Sequence, residues 1–228
     1  MDLGDEIRRS WDVNAAAWVS AVREDAISSR AAGTNAAIVE AVGPTRPCRV
    51  LDVGCGEGWL ARELARSGCQ VIGFDGSVEL IGRAKEQHDA RFLQINYAQL
   101  ICDPALIDGA FDRIVCNYSL FEENITALLG VLLSMLAPQG RILIQTLHPS
   151  RALATSEGYM SGWRTETFET MGDGFRSSMP YYFRTFARWC SELHDAGLIL
   201  SRCSEPVSSE SGMPLSLILI AEKGTRHD

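Results

Sequence analysis

Asp52, Gly54, Gly56 and Gly58 fall in the stretch VLDVGCGEGWLAREL, residues 50–64, where a short apolar run meets three glycines and the start of an amphipathic segment. A glycine turn lets the backbone pass close to a ligand and adopt dihedrals that a side chain forbids. Two acids narrow the ligand. Asp52 sits inside the apolar run, two residues before the first glycine, where a carboxylate repels a pyrophosphate and welcomes a cation. Asp75 closes the next apolar run, QVIGFD, at the spacing from which an acid accepts hydrogen bonds from both hydroxyls of a ribose. The dinucleotide pattern G-x-G-x-x-G also needs a small residue where Trp59 stands. These residues suit a nucleoside that carries a positive centre and no phosphate.

Such residues act together only if strands deliver them to one edge. Apolar runs at 49–54, 70–75, 91–96, 111–117 and 140–148 alternate with helix-like segments at 58–67, 77–88 and 123–136. That alternation predicts an α/β fold, a parallel sheet with helices on both faces. Residues 5–42 read helical, with Trp11, Ala15, Trp18, Val22 and Ile27 recurring at helical spacing, until GPTRPC (43–48) stops them. Near the other end, a helix at 184–196 precedes strands at 198–206 and 215–223. Their connection is too short for a crossover helix, so the two strands are expected to be antiparallel neighbours. Residues 149–183 lack strong periodicity and are too many for an idle loop, which predicts a lid or binding insertion. Half of the aromatic residues lie between 149 and 189, material for an apolar pocket wall.

With 228 residues, 46% hydrophobic and 22% charged, the chain reads as a single domain. Its expected parts are a helical cap (1–46), a ligand-binding core (47–148), the insertion (149–183) and a C-terminal helix with a strand hairpin (184–228). A net charge of −8 argues against nucleic acid as the main partner. No apolar run reaches the roughly 18 residues of a membrane span, and MDLGDEIRRSWD lacks the apolar core of a signal peptide, so a cytoplasmic location is expected. The seven cysteines form no C-x-x-C pair and read as reduced thiols. The histidines, at 88, 148, 194 and 227, show no metal spacing, and no metal site is expected.

VLDVGCGEGWLAREL together with VIGFDGSVELIGRAKE resembles the first two motifs of the class I S-adenosylmethionine-dependent methyltransferases. The similarity continues in order through INYAQL, FDRIVCNYSLFEE and LLSMLAPQGRILIQTLHP, over residues 48–149. TLHP, YYFRTF, the Glu205–Pro206 pair and PLSLILIAEK, with SWDVNAAAW and ISSR near the N-terminus, resemble a bacterial small-molecule branch. The resemblance implies a Rossmann-like, doubly wound, seven-stranded sheet, mostly parallel with an antiparallel C-terminal strand. It implies S-adenosylmethionine as cofactor and a small-molecule partner. Asp52, Gly54, Cys55, Gly56 and Gly58 would line its methionine and ribose portion, and Asp75 would hold the ribose. Gly76 and Ser77 would lie against the adenine, whose amino group Asn96 would receive, with Tyr97 stacking on it or filling space. Cys116, Asn117 and Tyr118 would stand near the departing methyl, and Trp11, Asn14, Trp18, Arg23 and Arg30 would cover the donor.

Methyl transfer from a sulfonium is an in-line displacement in which orientation does most of the catalysis. The family's usual histidine after the fourth strand is replaced here by FEE. His148, at the end of the fifth strand, is therefore the first candidate for proton acceptor. Tyr182 and Arg184 are the other candidate catalytic residues; Arg184 would clamp an acceptor carboxylate or pair with Glu205 as scaffold. Two other readings are a non-catalytic S-adenosylmethionine-binding protein and a nicotinamide-dependent oxidoreductase, the latter disfavoured by Trp59 and Asp52.

Overall fold

The structure, a computed structural model, describes residues 3–43, 48–87 and 90–224; the stop at 44–47, His88 and His227 lie outside them. The N-terminal region is helical, as expected, but broken. Helix α1 (Leu3–Arg23) ends before Asp25, whose φ is +53°, and a short π-helical segment (Arg30–Thr34) joins α2 (Asn35–Val42) across Gly33 at φ +136°. Only glycine takes that dihedral without strain, so the kink is written into the sequence.

The strands follow in chain order: β1 (Arg49–Val53), β2 (Gln70–Asp75), β3 (Arg91–Gln94), β4 (Phe111–Asn117), β5 (Leu136–Leu147), β6 (Gly162–Glu166), β7 (Met179–Phe183), β8 (Leu198–Ser204) and β9 (Ser216–Lys223). Seven of them form one sheet in the order β3-β2-β1-β4-β5-β9-β8. β9 runs antiparallel to β5 and to β8, and the remaining neighbours are parallel. The expected doubly wound sheet and its C-terminal antiparallel pair are both present.

The sheet is covered on both faces, which is why β1 is an unbroken buried run from Val50 to Val53. Alternation along the strands divides the core in two. Leu51, Val53, Ile114 and Ile144 pack with Leu128, Leu129 and Leu132 of α6 (Thr126–Ser134) and Trp189 of α7 (Phe186–Asp195). Val50, Val115 and Leu143 pack with Ile38 of α2 and Leu60 and Leu64 of α3 (Trp59–Arg66). The strand order reverses between β1 and β4, and the ends of those strands are where a ligand crevice is expected.

Three elements differ from the sequence reading. β5 begins at Leu136 rather than 140, because Leu136 pairs with Phe111 ahead of a register shift that resumes at Arg113 and Arg141. A short helix α5 (Tyr97–Cys102) follows β3, where periodicity gave none. The insertion is partly regular: a 3₁₀ turn at Pro149–Ala154 leads to the hairpin β6–β7, registered Gly162↔Phe183 to Glu166↔Met179. Its strands are five residues long and widely separated in sequence, so no short turn signal marked them. Among the described residues no helix is long and apolar enough to cross a membrane.

The hairpin packs on α1. Ile7, Phe168 and Met179 form a small buried cluster with Trp11, Phe121 and Tyr181 around it. Asn14, fully buried on α1, joins the two: its Nδ2 donates to the Ser177 carbonyl at 2.6 Å, and its Oδ1 accepts from the Arg176 and Ser177 amides at 2.8 and 3.2 Å.

Candidate active site

The turn after β1 needs its glycines for different reasons. All three have positive φ, +66°, +56° and +84° at Gly54, Gly56 and Gly58. A Cβ on Gly54 would stand 2.5 Å from the Ser119 Cβ, and one on Gly58 2.6 Å from the Phe92 ring, so these two let neighbouring parts of the protein close in. At Gly56 the nearest atom is the Trp18 indole nitrogen at 3.7 Å. Only Gly56 combines the dihedral requirement with open space. Gly58 does not reach the cavity and serves packing.

That space is one end of a cavity of about 820 Å³. Asp52, Gly54, Cys55, Gly56, Asp75, Gly76, Ser77, Asn96, Tyr97 and Asn117 all line it, from the ends of β1 to β4. Asp75 is fixed there by backbone donors: Oδ2 accepts from the Gly56 amide at 2.9 Å and Oδ1 from the Ser77 amide at 2.8 Å. Burial pushes its carboxyl up, and these hydrogen bonds oppose the shift. Asp52 lacks such full support. It is 1% exposed, accepts from the Ala61 amide, and leaves Oδ2 buried without a partner. Burial first, and the Asp75 charge second, push its carboxyl up to about 7. An orphaned buried carboxylate oxygen in a cavity wall is a socket for a cation.

Ser77 and Asn96 do local work as well. Ser77 caps α4 (Val78–Ala84) by accepting from the Leu80 amide, and donates to Asp12 at 2.6 Å. Asn96 forms a capping box with Gln99 on α5. Tyr97 donates to the Ser119 carbonyl at 3.0 Å and sits edge-on to Phe74. Its hydroxyl is thus tied down beside Gly54. Cys116 does not face the cavity. Strand alternation turns it into the core, fully buried, and presents Asn117 instead, whose Oδ1 is buried without a partner.

Above the turn, Trp11 and Trp18 of α1 meet edge to face at 5.0 Å and line the cavity. Arg30 lies over Trp59 at 4.5 Å with its Nε buried and unpartnered, and burial lowers its pKa. Arg23 reaches the fully buried Glu57 at 3.6 Å, beside the tighter Arg62–Glu57 pair at 2.6 Å.

The far end of the cavity is apolar and aromatic, walled by Phe121, Phe168, Met179, Tyr181 and Phe183, with Arg151 at its edge. Here the sequence assignments need correction. Tyr182 faces away, because alternation along β7 turns Tyr181 inward and sets Tyr182 against Trp163 on the opposite face. Arg184 is also outside the cavity. It is 2% exposed and forms the hub of the scaffold: Nε donates to Glu192 at 2.7 Å, and its other nitrogens donate to the carbonyls of Leu120, Glu122 and Glu123. Its acid is Glu192, not Glu205.

Glu205 instead meets His148, Oε1 to Nε2 at 2.8 Å. His148 does line the cavity, but Nδ1 faces the Ser150 hydroxyl at 2.6 Å and the Ser150 amide at 3.2 Å. An amide can only donate, so Nδ1 is the acceptor and the neutral ring carries its proton on Nε2, toward Glu205. Both ring nitrogens are therefore engaged in holding the turn at 149–154. The sequence reading singled out Tyr181 beside Tyr182, and it is Tyr181 that reaches the cavity; Arg151, Phe121 and Phe168 escaped it. Arg151 had a usable signal, a cation three residues beyond the end of a strand whose carboxyl edge carries ligands; the aromatics had none beyond composition.

Residues 23–198 match a family described as a methyltransferase domain. A ubiquinone biosynthesis O-methyltransferase of Xanthomonas euvesicatoria pv. vesicatoria is 36% identical over 107 residues, 46% of this chain and 45% of that protein. The corresponding protein of Rhizobium etli is 30% identical over 107 residues, 46% of this chain and 43% of its own length. The matched region thus spans less than half the length of these relatives. Among solved structures, magnesium protoporphyrin IX methyltransferase from Synechocystis PCC 6803 with bound SAH superimposes with a TM-score of 0.66 at 18% identity, over 98% of this chain and 100% of that one. An S-adenosylmethionine dependent methyltransferase from Mesorhizobium loti gives 0.62 at 20% identity, over 82% and 96%. At these identities the structural likeness is one of fold.

Proposed function

Because the chain belongs to the methyltransferase domain family, we propose that it carries a methyl group from S-adenosylmethionine to a small, enclosed acceptor. One observation carries the reading: a single cavity joins a cation-suited, glycine-lined end to an aromatic end. The residues present fit the donor. Asp52, whose Oδ2 is orphaned, lines the cavity, Gly56 leaves room beside the backbone, and Asp75 is held by two amides with lone pairs to spare for ribose hydroxyls. Arg30, charged and unpartnered at Nε, supplies a counter-ion for the donor's carboxylate.

When bound, the donor supplies an already activated methyl group, so the chain's task is to orient and to exclude water. Trp11 and Trp18 close the donor end from above, and the β6–β7 hairpin closes the acceptor end against α1. Asn117 and Tyr118 stand where the two ends meet; Tyr118 holds φ +51°, an uncommon backbone state for a bulky residue. His148 acts in this reading as a positioning residue, seating the turn that brings Arg151 and Ala152 to the cavity. An acceptor proton reaches its Nδ1 only by way of the Ser150 hydroxyl. His148→Ala is expected to lower turnover equally at all pH values; a pH profile that changes shape would restore His148 as base.

A protein that binds the donor without catalysis would not need the aromatic end, and an oxidoreductase would place a small residue at Trp59. Four free cysteines buried around the sheet accord with a reducing, cytoplasmic setting. The reading is tested by calorimetric titration with S-adenosylmethionine and S-adenosylhomocysteine. Micromolar binding, weakened at least tenfold in Asp75→Ala, is expected; no binding of either ligand would overturn it.

A further inference from the structure

The cavity holds four arginines, and three have local occupations. Arg8 pairs with Asp5 at 2.8 Å. Arg164 donates to the Gly158 carbonyl at 2.6 Å and lies 3.9 Å over the Phe183 ring. Arg30 stacks on Trp59. The guanidinium of Arg151 makes no hydrogen bond or ion pair among the described residues, although it lines the same cavity. It is also held in place. Its backbone amide donates to the His148 carbonyl at 3.0 Å, in a 3₁₀ turn whose cap is locked by Ser150 on one side and Glu205 on the other.

The surroundings say where that charge acts. Arg151 is close enough to influence both the Tyr118 phenol, at the junction of the two ends, and the Tyr181 phenol, on the acceptor wall. The Tyr118 phenol also feels Arg30, whose own charge is balanced by the nearby Glu57 and Asp25, so Arg151 is the cation near this tyrosine with no acid set against it among the described residues. The donor brings a single carboxylate, and Arg30 lies on the donor side over Trp59. The Glu166 carboxylate, also in the cavity wall, is occupied by the Phe168 amide at 2.8 Å. A solvent-exposed planar fork with no protein acid paired to it, on the wall of an aromatic chamber, is complementary to a flat molecule ending in a carboxylate, which guanidinium binds through two parallel hydrogen bonds.

We propose that the methyl acceptor is a small aromatic carboxylic acid, and that Arg151 reads its carboxylate while Phe121, Phe168 and Tyr181 enclose its ring. The proposal rests on the assignment of the glycine-lined end to S-adenosylmethionine. It places the acceptor's acid group at the rim by the 149–154 turn and its ring along the β6–β7 hairpin, so that selectivity lies in a residue remote from the donor's adenine.

The test uses the whole chain saturated with S-adenosylhomocysteine, titrated with benzoate, the three hydroxybenzoates and cinnamate, each beside its primary amide. At least one acid is expected to bind tenfold or more tightly than its amide. Arg151→Gln should erase that preference while leaving the S-adenosylhomocysteine affinity within twofold, and Arg151→Lys should retain part of it. A panel in which no acid is preferred, or a preference that survives Arg151→Gln, overturns the proposal. So does a tenfold loss of S-adenosylhomocysteine affinity in Arg151→Gln, which would assign the guanidinium to the donor. Absence of S-adenosylhomocysteine binding by the unaltered chain defeats the donor assignment itself, an outcome separate from the others.

Discussion

The two ends of the cavity are built on different principles. At the donor end the backbone does most of the work: glycine dihedrals and amide donors fix Asp75, and the two acids, Asp52 and Asp75, lie on adjacent strands at the turn, with side chains of α1 and of the β3 and β4 ends completing the wall. At the acceptor end side chains from α1, the segment after β4, the 149–154 turn and the β6–β7 hairpin converge from distant parts of the chain. A backbone-built site is specific for a ligand common to a whole fold. A site built from side chains on an insertion is free to change with the substrate.

This contrast can be broken by experiment. The largest effect is expected on the acceptor side, where Arg184→Ala leaves the buried Glu192 with Arg188 alone, at 2.6 Å, and strips several carbonyls of their donor. Breaking one partner of such a pair costs about 3–5 kcal/mol. Urea denaturation showing less than about 1 kcal/mol would mean that this wall does not depend on its side-chain hub.

The next effect is a pH dependence at the donor end. The fold raises the Asp52 carboxyl from 3.8 to about 7, so the folded state holds a proton that the unfolded chain has released between those values. Stability contributed by that proton is full below about pH 4, falls as pH rises through 7 and is absent above it. At 1.36 kcal/mol per unit the span is on the order of 4 kcal/mol. Asp52→Asn should flatten the stability profile between about pH 4 and 7, and an unaltered slope would contradict the assignment. Binding of the sulfonium donor should strengthen as pH rises through about 7, and that of the neutral thioether product should strengthen less.

Gly54→Ala sharpens the comparison on the backbone side. The positive φ and the 2.5 Å approach to Ser119 predict a loss of about 1–3 kcal/mol together with loss of S-adenosylhomocysteine binding. Retained binding would show that the turn adapts. The smallest effect is expected for Trp163→Phe, which removes a 3.2 Å hydrogen bond to exposed Glu123 outside the cavity; a change within about 0.5 kcal/mol and unaltered turnover should follow.

The same contrast explains what could be read from the chain. Strands β1 to β5 announce themselves because burial on both faces demands continuous apolar runs, and the glycines because no other residue takes their dihedrals. Asp52 and Asp75 were legible from their spacing to those glycines. Tyr182 and Arg184 were misjudged because an aromatic–basic cluster looks the same whether alternation turns it inward or outward, and the register of a hairpin with a long connection is not written locally. His148 was found at the correct place, but its engagement with Glu205 depends on a contact 57 residues away. Arg151 stands out only once the other cavity arginines are seen to be occupied.

Asn14 joins α1 to residues 162 and 163 positions further along the chain. During synthesis the buried Asn14 amide therefore has only the Ser10 hydroxyl of its own helix, at 3.3 Å, until the hairpin has left the ribosome, and closing so long a loop is entropically late. The nucleus of folding is expected to lie in the sheet and its covering helices, with the roof of the cavity added last and lost first. Hydrogen exchange should find α1 and β6–β7 opening together as one cooperative unit, at a lower free energy than the strands beneath.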